Sequence, residues 1–530
     1  MVERTTEAPS THENTHRPDA GPVASAYIDG GPVTGDRETI PVVNPAAPRT
    51  VVGYGAQSLP EDVDRATAAA AAAFPGWAQL TPRQRADAML AGADAIAGDS
   101  AELVRQLVQE VGKPAHDCAG DVNGGVHLVR AFAALADELG QFEDLTGRPG
   151  TASADEVLLQ QVPAGPAVII TPWNTPVYLC LNAVAPALIA GCSVVVKPPE
   201  AAPLALTRAL HLLAAALPAG VLNVVPGSGA VVGDRLVRDP AVRSVSVTGG
   251  TATGRSVLKA AADTVKKVAL ELGGNDPAVV LADADLSTET LRELIAGSYS
   301  VSGQVCFNIK RIYIHESRYH EFVERFTALV DQLVIGPGDA PGVHLGPLTT
   351  EAGYRNAVRL MEHAQQSGHT VHIGGRWAEG FEPGDGWFVR PAVVTDLPAD
   401  DELVMEEQFA PLIPVLPFSD EEAVITEANR TEYGLASSVW SGDRDHALAV
   451  ARRIEAGNTF INAHRVGASV PLVPFGGVKQ SGLGRNHLHH AVSEFTEEHA
   501  VIRYSDPHEQ IPGISPWTAL QETADARTTG

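Results

Sequence analysis

An α/β fold with two packed domains is predicted from three observations. The chain has 530 residues, more than a single hydrophobic core usually covers. Short apolar runs rich in Val and Ile alternate with helical stretches, a pattern typical of βαβ units and parallel sheets. This alternation occurs from about 164 to 282 and again from about 275 to 480. We therefore expect a functional cleft between two α/β domains.

Several consecutive amphipathic helices are predicted from about Pro60, where the sequence becomes Ala-rich with helical spacing. The strands predicted in the first alternating region are AVIIT at 167, SVVVK at 193, LNVVP at 222, RSVSVT at 243, KVALEL at 267 and AVVLA at 278. The second region adds RIYIH at 311, the helix HEFVERFTALVDQL, LIPVLPF at 412, ASSVW at 436 and NTFIN at 458. No segment repeats at a fixed period, so a solenoid is not expected.

Charge and composition limit the classes of partner. The chain carries 38 Lys and Arg against 64 Asp and Glu, a formal net charge of -26, which repels phosphate backbones and anionic lipid surfaces. No apolar run resembles a membrane span or a secretory signal. We expect a cytoplasmic protein without nucleic-acid or membrane partners. The polar ends, residues 1–22 and 507–530, are expected to be mobile tails.

The cysteines and histidines do not predict a metal site. Cys118, Cys180, Cys192 and Cys306 lack the regular spacing of a disulfide framework or a zinc site. The 18 histidines, including HLHH at 487–490, are expected to be solvated surface residues rather than ligands. We therefore predict no bound metal.

Three polar residues are candidates for chemistry. Cys306 in SGQVCFNIKR stands between a predicted helix and strand, although a lone cysteine is more often a small buried hydrophobe. Glu271 ends an apolar strand in LELGGNDP, where burial raises a carboxyl pKa; taken alone, it is equally a paired structural charge. Asn174 in TPWNTP follows a strand in a Pro-bracketed turn, where its amide can stabilise an oxyanion.

Two further segments indicate a dinucleotide. VSVTGGTATGRSV at 245–257 reads as a strand, a Gly-containing turn and a helix start, which places a pyrophosphate on helix N–H groups. This turn is not GxGxxG, and many strand-to-helix turns simply need glycine. In VVVKPPE, Lys197 and Glu200 follow a strand, where they can hydrogen-bond ribose hydroxyls. A carboxylate there repels a 2'-phosphate and favours NAD over NADP.

Taken together, these motifs resemble the aldehyde dehydrogenase superfamily from about residue 27 to 505. Seven of them occur in the family's order: TPWN at 171, VVVKPPE at 194, TGGTATG at 248, LELGG at 270, GQVC at 303, EEQFAP at 406 and PFGGVKQSGLGR at 474. The resemblance implies an NAD-dependent, hydrolytic, non-acylating enzyme that oxidises an aldehyde to a carboxylic acid.

The resemblance also implies a role for each site residue. Cys306 is the nucleophile and Glu271 the general base, while Asn174 and the Cys306 N–H form the oxyanion hole. The implied cofactor-binding residues are Thr171, Pro172, Trp173, Lys197, Glu200, Gly229, Gly233, Thr248, Gly249, Gly250, Thr251, Gly254, Leu272, Gly273, Glu407 and Phe409. Lys197 and Glu200 hold the adenosine ribose in this scheme, and the last two residues position the nicotinamide end.

By the same resemblance, the α/β fold divides into a Rossmann-like NAD-binding domain, a second α/β catalytic domain and a small β oligomerisation arm. The implied bounds are 23–147 with 164–273 for the first domain, 274–480 for the second, and 148–163 with 490–506 for the arm. Because arm strands hide exposed sheet edges by pairing across subunits, a homodimer or homotetramer is expected.

This chain departs from the family pattern at four positions. The family usually has serine where Gly250 stands, asparagine at the Val301 position, glycine where Ala410 stands and glutamate where Asn486 stands. None of these positions carries a group that makes or breaks a bond in the reaction. We therefore expect the departures to affect cofactor binding and loop conformation more than activity.

The substrate is predicted only by class. The pocket should involve Tyr178, Val305, Phe307 and the loop at 463–473. Arg465 in that loop is either a ligand for a substrate carboxylate or, more commonly for a loop arginine, solvated or paired. The default hypothesis is a medium-sized, uncharged aliphatic or aromatic aldehyde.

Two alternative functions stay open at this point. A coenzyme A-acylating dehydrogenase needs no water-activating base, and Glu271 argues against it. A catalytically silent binding protein of the same fold is opposed by the intact set of Cys306, Glu271 and Asn174.

Overall fold

The computed structural model describes residues 21–149, 151, 154–467 and 473–504. The predicted tails lie outside the described residues except at Gly21 and Pro22. The α/β class is confirmed. The helices are α1 Pro60–Gln79, α2 Pro82–Gly98, α3 Ser100–Glu110, α4 Ala115–Ala134, α5 Pro176–Ala190, α6 Leu204–Ala215, α7 Asp234–Arg238, α8 Thr251–Ala262, α9 Thr288–Tyr299, α10 Tyr319–Val330, α11 Glu351–Gln366, α12 Glu402–Met405, α13 Glu421–Asn429, α14 Arg444–Ala451 and α15 Leu488–Ser493.

The strands predicted from the apolar runs lie at or near their predicted positions, whereas others, including the five described strands before α1, were not predicted. They are β1 Val23–Ala24, β2 Tyr27–Ile28, β3 Gly31–Pro32, β4 Thr39–Asn44, β5 Ala47–Ala56, β6 Glu143–Asp144, β7 Glu156–Pro163, β8 Ala167–Ile170, β9 Val194–Lys197, β10 Leu222–Val224, β11 Ser244–Thr248, β12 Lys267–Glu271, β13 Asp276–Val280, β14 Ile309–His315, β15 Val334–Ile335, β16 Thr370–Ile373, β17 Arg376–Trp377, β18 Ala392–Thr395, β19 Leu412–Phe418, β20 Ala436–Trp440, β21 Asn458–Ile461, β22 Gly482–Leu483 and β23 Thr496–Arg503.

The first large sheet has eight strands in the order β22-β12-β11-β8-β9-β10-β2-β3. Its central strands, β12 to β10 in this order, run parallel. Alternate residues of these strands pack on opposite faces. Ile169 contributes to the core beneath α2, α4, α5 and α6, and Val168 contributes to the core beneath α1, α7 and α8. Both faces are covered, which explains the continuous apolar runs in the sequence.

A second large sheet has seven strands in the order β16-β18-β19-β14-β13-β20-β21. All of its pairs are parallel except β16 with β18. The run AVVLA, which the alternation grouped with the first region, forms β13 of this second sheet. The chain therefore crosses from the first sheet to the second in the short segment between Glu271 and Asp276.

The two predicted arm strands pair with each other. β7 and β23 form an antiparallel ladder from Thr496–Pro163 to Arg503–Glu156, and β6 completes a three-stranded sheet in the order β23-β7-β6. β23 is an edge strand on which Val501 and Ile502 are exposed. Among the described residues, no helix has the length and apolar composition to cross a bilayer.

The contact between α1 and α5 gives a stability prediction. Trp77 is 1 % exposed, and its indole N–H donates to the Leu188 carbonyl at 3.0 Å. Trp77→Ala leaves a cavity and an unpaired carbonyl, so we expect the free energy of unfolding to fall by about 3–5 kcal/mol. Urea denaturation followed by circular dichroism measures this change. Trp77→Phe keeps most of the volume and should lose much less; equal losses would contradict the packing argument.

Candidate active site

A cleft of about 900 Å³ opens at the carboxyl ends of β8, β9, β11 and β12. Ligands of open α/β sheets bind at this edge, beyond the ends of the parallel strands. The predicted site residues that line it are Thr171, Pro172, Trp173, Asn174, Lys197, Glu200, Gly229, Gly233, Thr248, Gly249, Gly250, Glu271, Leu272, Gly273, Cys306, Glu407 and Phe409. The structure therefore brings the three predicted catalytic residues and most of the predicted cofactor residues into one cleft.

Glu271 is the last residue of β12. Its backbone is fixed on both sides, since it pairs with Thr248 of β11 and with Gly482 of β22. The side chain is 5 % exposed, and Oε1 has no hydrogen-bond partner. Burial raises the pKa of this carboxyl to about 8, while the positive charge of Arg485 acts in the opposite direction. A carboxyl with this pKa can accept a proton near neutral pH.

Asn486 contacts the same carboxyl group. Its Nδ2 donates to Glu271 Oε2 at 3.3 Å. This position was noted in the sequence only as a departure from the family pattern. Its contact with Glu271 was not predictable, because it depends on β22 returning to pair with β12 at a separation of 215 residues.

Cys306 lies in the loop between α9 and β14. The segment before it is strained, since Val301, Ser302 and Gly303 have φ angles of 53°, 56° and 80°. A β-branched residue rarely adopts this left-handed conformation, and asparagine, usual at the Val301 position in the family, tolerates it better. Desolvation raises the pKa of the Cys306 thiol well above its ordinary value, and the nearby Glu271 carboxylate adds to the rise.

Asn174 is held in place by two other groups. Its Nδ2 donates to the Gln304 carbonyl at 2.8 Å, two residues before Cys306. Its own carbonyl accepts from Lys113 Nζ at 3.0 Å, and that ammonium forms a fully buried pair with Asp121 at 2.6 Å. An amide N has two hydrogens, so the second one can serve a reacting oxygen. Lys113 and Asp121 belong to no motif and were not predicted from the sequence.

The pyrophosphate turn leads into α8. Gly250 is the residue before its first turn and provides no side-chain cap, so the first N–H groups are free for an anion. A Cβ added to Gly250 would meet nothing within 4 Å, whereas one added to Gly254 would lie 2.6 Å from Leu272 Cδ1. Gly249 and Gly250 therefore face the cleft. Gly254 and Thr251 are outside its lining, and Gly254 allows α8 to pack closely on the sheet.

A second group of residues lies at the ends of β9 and β10. Lys197 is buried, and its Nζ is 3.6 Å from Glu200 Oε1. The same Glu200 oxygen accepts from the Gly229 N–H at 2.8 Å. A Cβ on Gly233 would lie 3.6 Å from the Lys197 side chain. These residues form a polar edge with one ammonium and one half-exposed carboxylate, which suits a ribose with free hydroxyls.

Glu407 and Phe409 close the opposite end of the cleft. The Gly274 N–H donates to Glu407 Oε1 at 3.2 Å, and burial raises the pKa of this carboxyl to about 7. Phe409 has a φ of 48°. Its ring packs edge to face against the Trp173 ring, with 5.7 Å between the ring centroids. The buried Lys310 Nζ lies 5.1 Å from the Phe409 ring. No residue pattern in the sequence predicts an ammonium at this position.

The sequence model of the aldehyde dehydrogenase family matches residues 33–501. The chain belongs to the aldehyde dehydrogenase family. The resemblance inferred from the seven motifs is thereby confirmed, and an aldehyde-oxidising activity follows at the level of the family.

Characterised relatives cover nearly the whole of this aldehyde dehydrogenase. Phenylacetaldehyde dehydrogenase of Pseudomonas fluorescens is 35 % identical over 88 % of this chain and 92 % of its own. The NADP-dependent succinate-semialdehyde dehydrogenase of Escherichia coli K12 is 34 % identical over 87 % of this chain and 93 % of its own. The crystal structure of betaine aldehyde dehydrogenase from Staphylococcus aureus with NAD+ superposes with a TM-score of 0.86, at 31 % identity, over 93 % of this chain and 96 % of that chain.

The four predicted substrate residues of this aldehyde dehydrogenase are not among the described residues that line the cleft. Tyr178 packs its ring against Gly124, and Val305 is buried. Phe307 meets Phe475 edge to face at 5.4 Å. Arg465 pairs with Glu293 at 2.6 Å, in line with the paired alternative. Residues 468–472 of the predicted substrate loop lie outside the described residues, and the pocket stays a prediction.

Among the described residues, the expectation that the histidines are surface residues is wrong at His464 and His487. His464 is 0 % exposed. Its two ring nitrogens are hydrogen-bonded, one to Ser438 Oγ and the other to the Phe307 carbonyl. His487, the first residue of the HLHH stretch, is 6 % exposed and lies against Phe475 at 5.4 Å. Imidazoles with satisfied nitrogens and apolar ring contacts are buried at little cost.

The proximity of Glu271 and Cys306 gives a prediction on thiol reactivity. The Glu271 carboxylate raises the pKa of Cys306, so Glu271→Gln should lower it and shift the pH midpoint of iodoacetamide alkylation to lower pH. Alkylation quenched at a series of times and analysed by mass spectrometry measures the alkylation rate of Cys306 at each pH. Cys118, Cys180 and Cys192 are fully buried and should react slowly, and Cys306→Ala controls for them. An unchanged or higher midpoint would exclude the coupling.

Proposed function

We propose that this protein oxidises an aldehyde to a carboxylic acid with NAD, through a covalent intermediate on Cys306 that is hydrolysed with Glu271 as general base. The observation that carries the proposal is one cleft lined by a thiol, a carboxyl of raised pKa and a rigid amide. A nucleophile, a base and an oxyanion donor are the parts that acyl chemistry requires.

The cofactor assignment rests on how the cleft fits a dinucleotide. The uncapped start of α8 accommodates a pyrophosphate, and Lys197 with Glu200 faces the ribose position. The Glu200 carboxylate opposes a 2'-phosphate, which favours NAD over NADP. The family relatives include an NADP-dependent enzyme, so the assay must compare both cofactors. The bound nicotinamide supplies the hydride acceptor at the Glu407 and Phe409 end.

The chain's own residues account for the remaining steps. Glu271 takes the proton of the Cys306 thiol, whose raised pKa keeps it protonated near neutral pH. The thiolate adds to the aldehyde carbon, and Asn174 Nδ2 with the Cys306 N–H stabilises the oxyanion of the thiohemiacetal. Loss of hydride from that carbon leaves a thioester. Glu271 releases the thiol proton to solvent and, as a carboxylate again, removes a proton from the water that attacks the thioester. The Cys306 thiolate leaves, the acid is released, and the protonated Glu271 returns its proton to the thiolate.

The domain and subunit assignments belong to the same proposal. The part of the chain that contains the eight-stranded sheet binds the cofactor, and the part that contains the seven-stranded sheet carries Cys306. The exposed edge strand β23, with apolar Val501 and Ile502 on its surface, supports a homo-oligomer that pairs or covers this edge. The substrate class stays a medium-sized uncharged aldehyde.

The deciding experiment measures NADH and NADPH formation with aliphatic, aromatic, hydroxylated and carboxylated aldehydes. Wild type should prefer NAD, and Cys306→Ala and Glu271→Gln should each lower turnover by at least about a hundredfold. Cys306→Ala should still bind NAD, which separates lost chemistry from lost folding. Cofactor binding without turnover on any aldehyde, or turnover that appears only with coenzyme A, would overturn the proposal.

The contact between Asn486 and Glu271 predicts a pH effect. A base must be deprotonated, so kcat/KM should rise as the pH passes through the Glu271 pKa of about 8. The Asn486 hydrogen bond favours the carboxylate and lowers this pKa, so Asn486→Ala should move the rise to higher pH. Asn486→Asp adds a like charge and should move it further. Profiles that coincide with wild type would show that Asn486 does not tune the base.

A further inference from the structure

Three ligand-type side chains meet on the side of α11 that faces α12, outside the cleft. His363 is in the last turn of α11, His369 follows in the turn before β16, and Asp401 directly precedes α12. One ring nitrogen of each histidine and a carboxylate oxygen of Asp401 lie within 4.8 Å of one another. Three different segments thus direct one nitrogen or oxygen each at a common point.

The distances are close to those of a metal site. Asp401 Oδ2 is 3.1 Å from His363 Nε2 and 2.8 Å from His369 Nε2. Ligands about 2.0–2.2 Å from a tetrahedral Zn²⁺ are separated by roughly 3.3 Å from each other. The two histidine-to-aspartate separations need to widen by only a few tenths of an ångström to reach that value.

The burial of these three side chains favours a bound cation over a cluster of side chains that is fully solvated. The side chains of His369 and Asp401 are 7 % and 6 % exposed, and that of His363 is 34 % exposed, which leaves one open side for access and for a water ligand. Asp401 Oδ1 accepts from the Leu403 N–H at 2.9 Å, and this bond fixes the carboxylate orientation. A hydrogen bond from a neighbouring group to a metal ligand holds that ligand in its binding orientation.

We propose that His363, His369 and Asp401 form a binding site for one divalent transition-metal ion of the Zn²⁺ type. Two imidazole nitrogens and one carboxylate suit Zn²⁺, Co²⁺ or Ni²⁺ better than Mg²⁺ or Ca²⁺, which require mostly oxygen ligands. The neighbouring Glu402 is already engaged by Arg359 through bonds of 2.6 and 2.9 Å. The site therefore has three protein ligands, and water completes the coordination.

The position of the site gives the ion a structural role. Asp401 begins α12, and the chain continues from α12 directly to Glu407 and Phe409 at the cleft. A metal ion would tie α11 to the start of this segment. An ion that binds the folded chain and not the unfolded chain raises the unfolding temperature. This rise in unfolding temperature does not depend on catalysis.

The test uses the tag-free full-length chain with Cys306→Ala, because a thiol at that position binds Zn²⁺ itself. Isothermal titration with Zn²⁺ should show one ion per chain. Co²⁺ should give the visible absorption of a four-coordinate nitrogen and oxygen site. Zn²⁺ should also raise the unfolding temperature.

The variants localise the binding. His363→Gln and His369→Gln should each weaken Zn²⁺ affinity by at least about tenfold and abolish the temperature shift. His363 is partly exposed, so its substitution should preserve the fold, which circular dichroism and NAD binding verify. The matched control is His372→Gln, which removes an imidazole from a two-member pair with Asp331 at 2.8 Å and should change nothing. No Zn²⁺ bound by the parent, or equal affinity in all variants, would overturn the proposal.

Discussion

The parallel register of the central strands is the constraint on which the site depends. Ile170 of β8 lies opposite Val247 of β11 and Lys197 of β9, and Thr248 lies opposite Glu271. Since parallel strands end at the same edge of a sheet, the residues that follow them meet there. A shift of one residue in any pair would turn its side chains to the other face of the sheet.

Burial at this edge changes the chemistry of ionisable groups. The carboxyls of Glu271 and Glu407 lose water, and their pKa values rise to about 8 and about 7. The buried Lys310 ammonium partly compensates the second of these carboxyls. Such groups lower stability relative to apolar residues of the same size, and they are retained where a proton must be exchanged near neutral pH.

Part of the backbone strain of the described residues lies at the same place. Val301, Ser302 and Phe409 all have positive φ angles, and these residues flank the thiol or close the cleft. Conformations of this kind cost about 1–3 kcal/mol each and persist where the surrounding packing determines them. Here the packing is the contact of Gly303 with the backbone of Ala410, which joins the Cys306 loop to the Phe409 segment. A side chain at position 303 would separate the two.

The sequence by itself determined the α/β class, the strands formed by the apolar runs, and the catalytic residues and most of the cofactor residues that line the cleft, because apolar runs, glycine turns and ordered motifs are local properties of the chain. It did not determine the strands before α1, and the substrate residues that it predicted are not among the described residues that line the cleft. Only the tertiary structure decided that β13 belongs to the second sheet, that Asn486 contacts Glu271, that Lys113 supports Asn174, and that two histidines meet Asp401. Each of these contacts joins residues that are distant in the chain or that belong to no motif. Their partners are set by how the sheets and helices pack, which residue spacing does not encode.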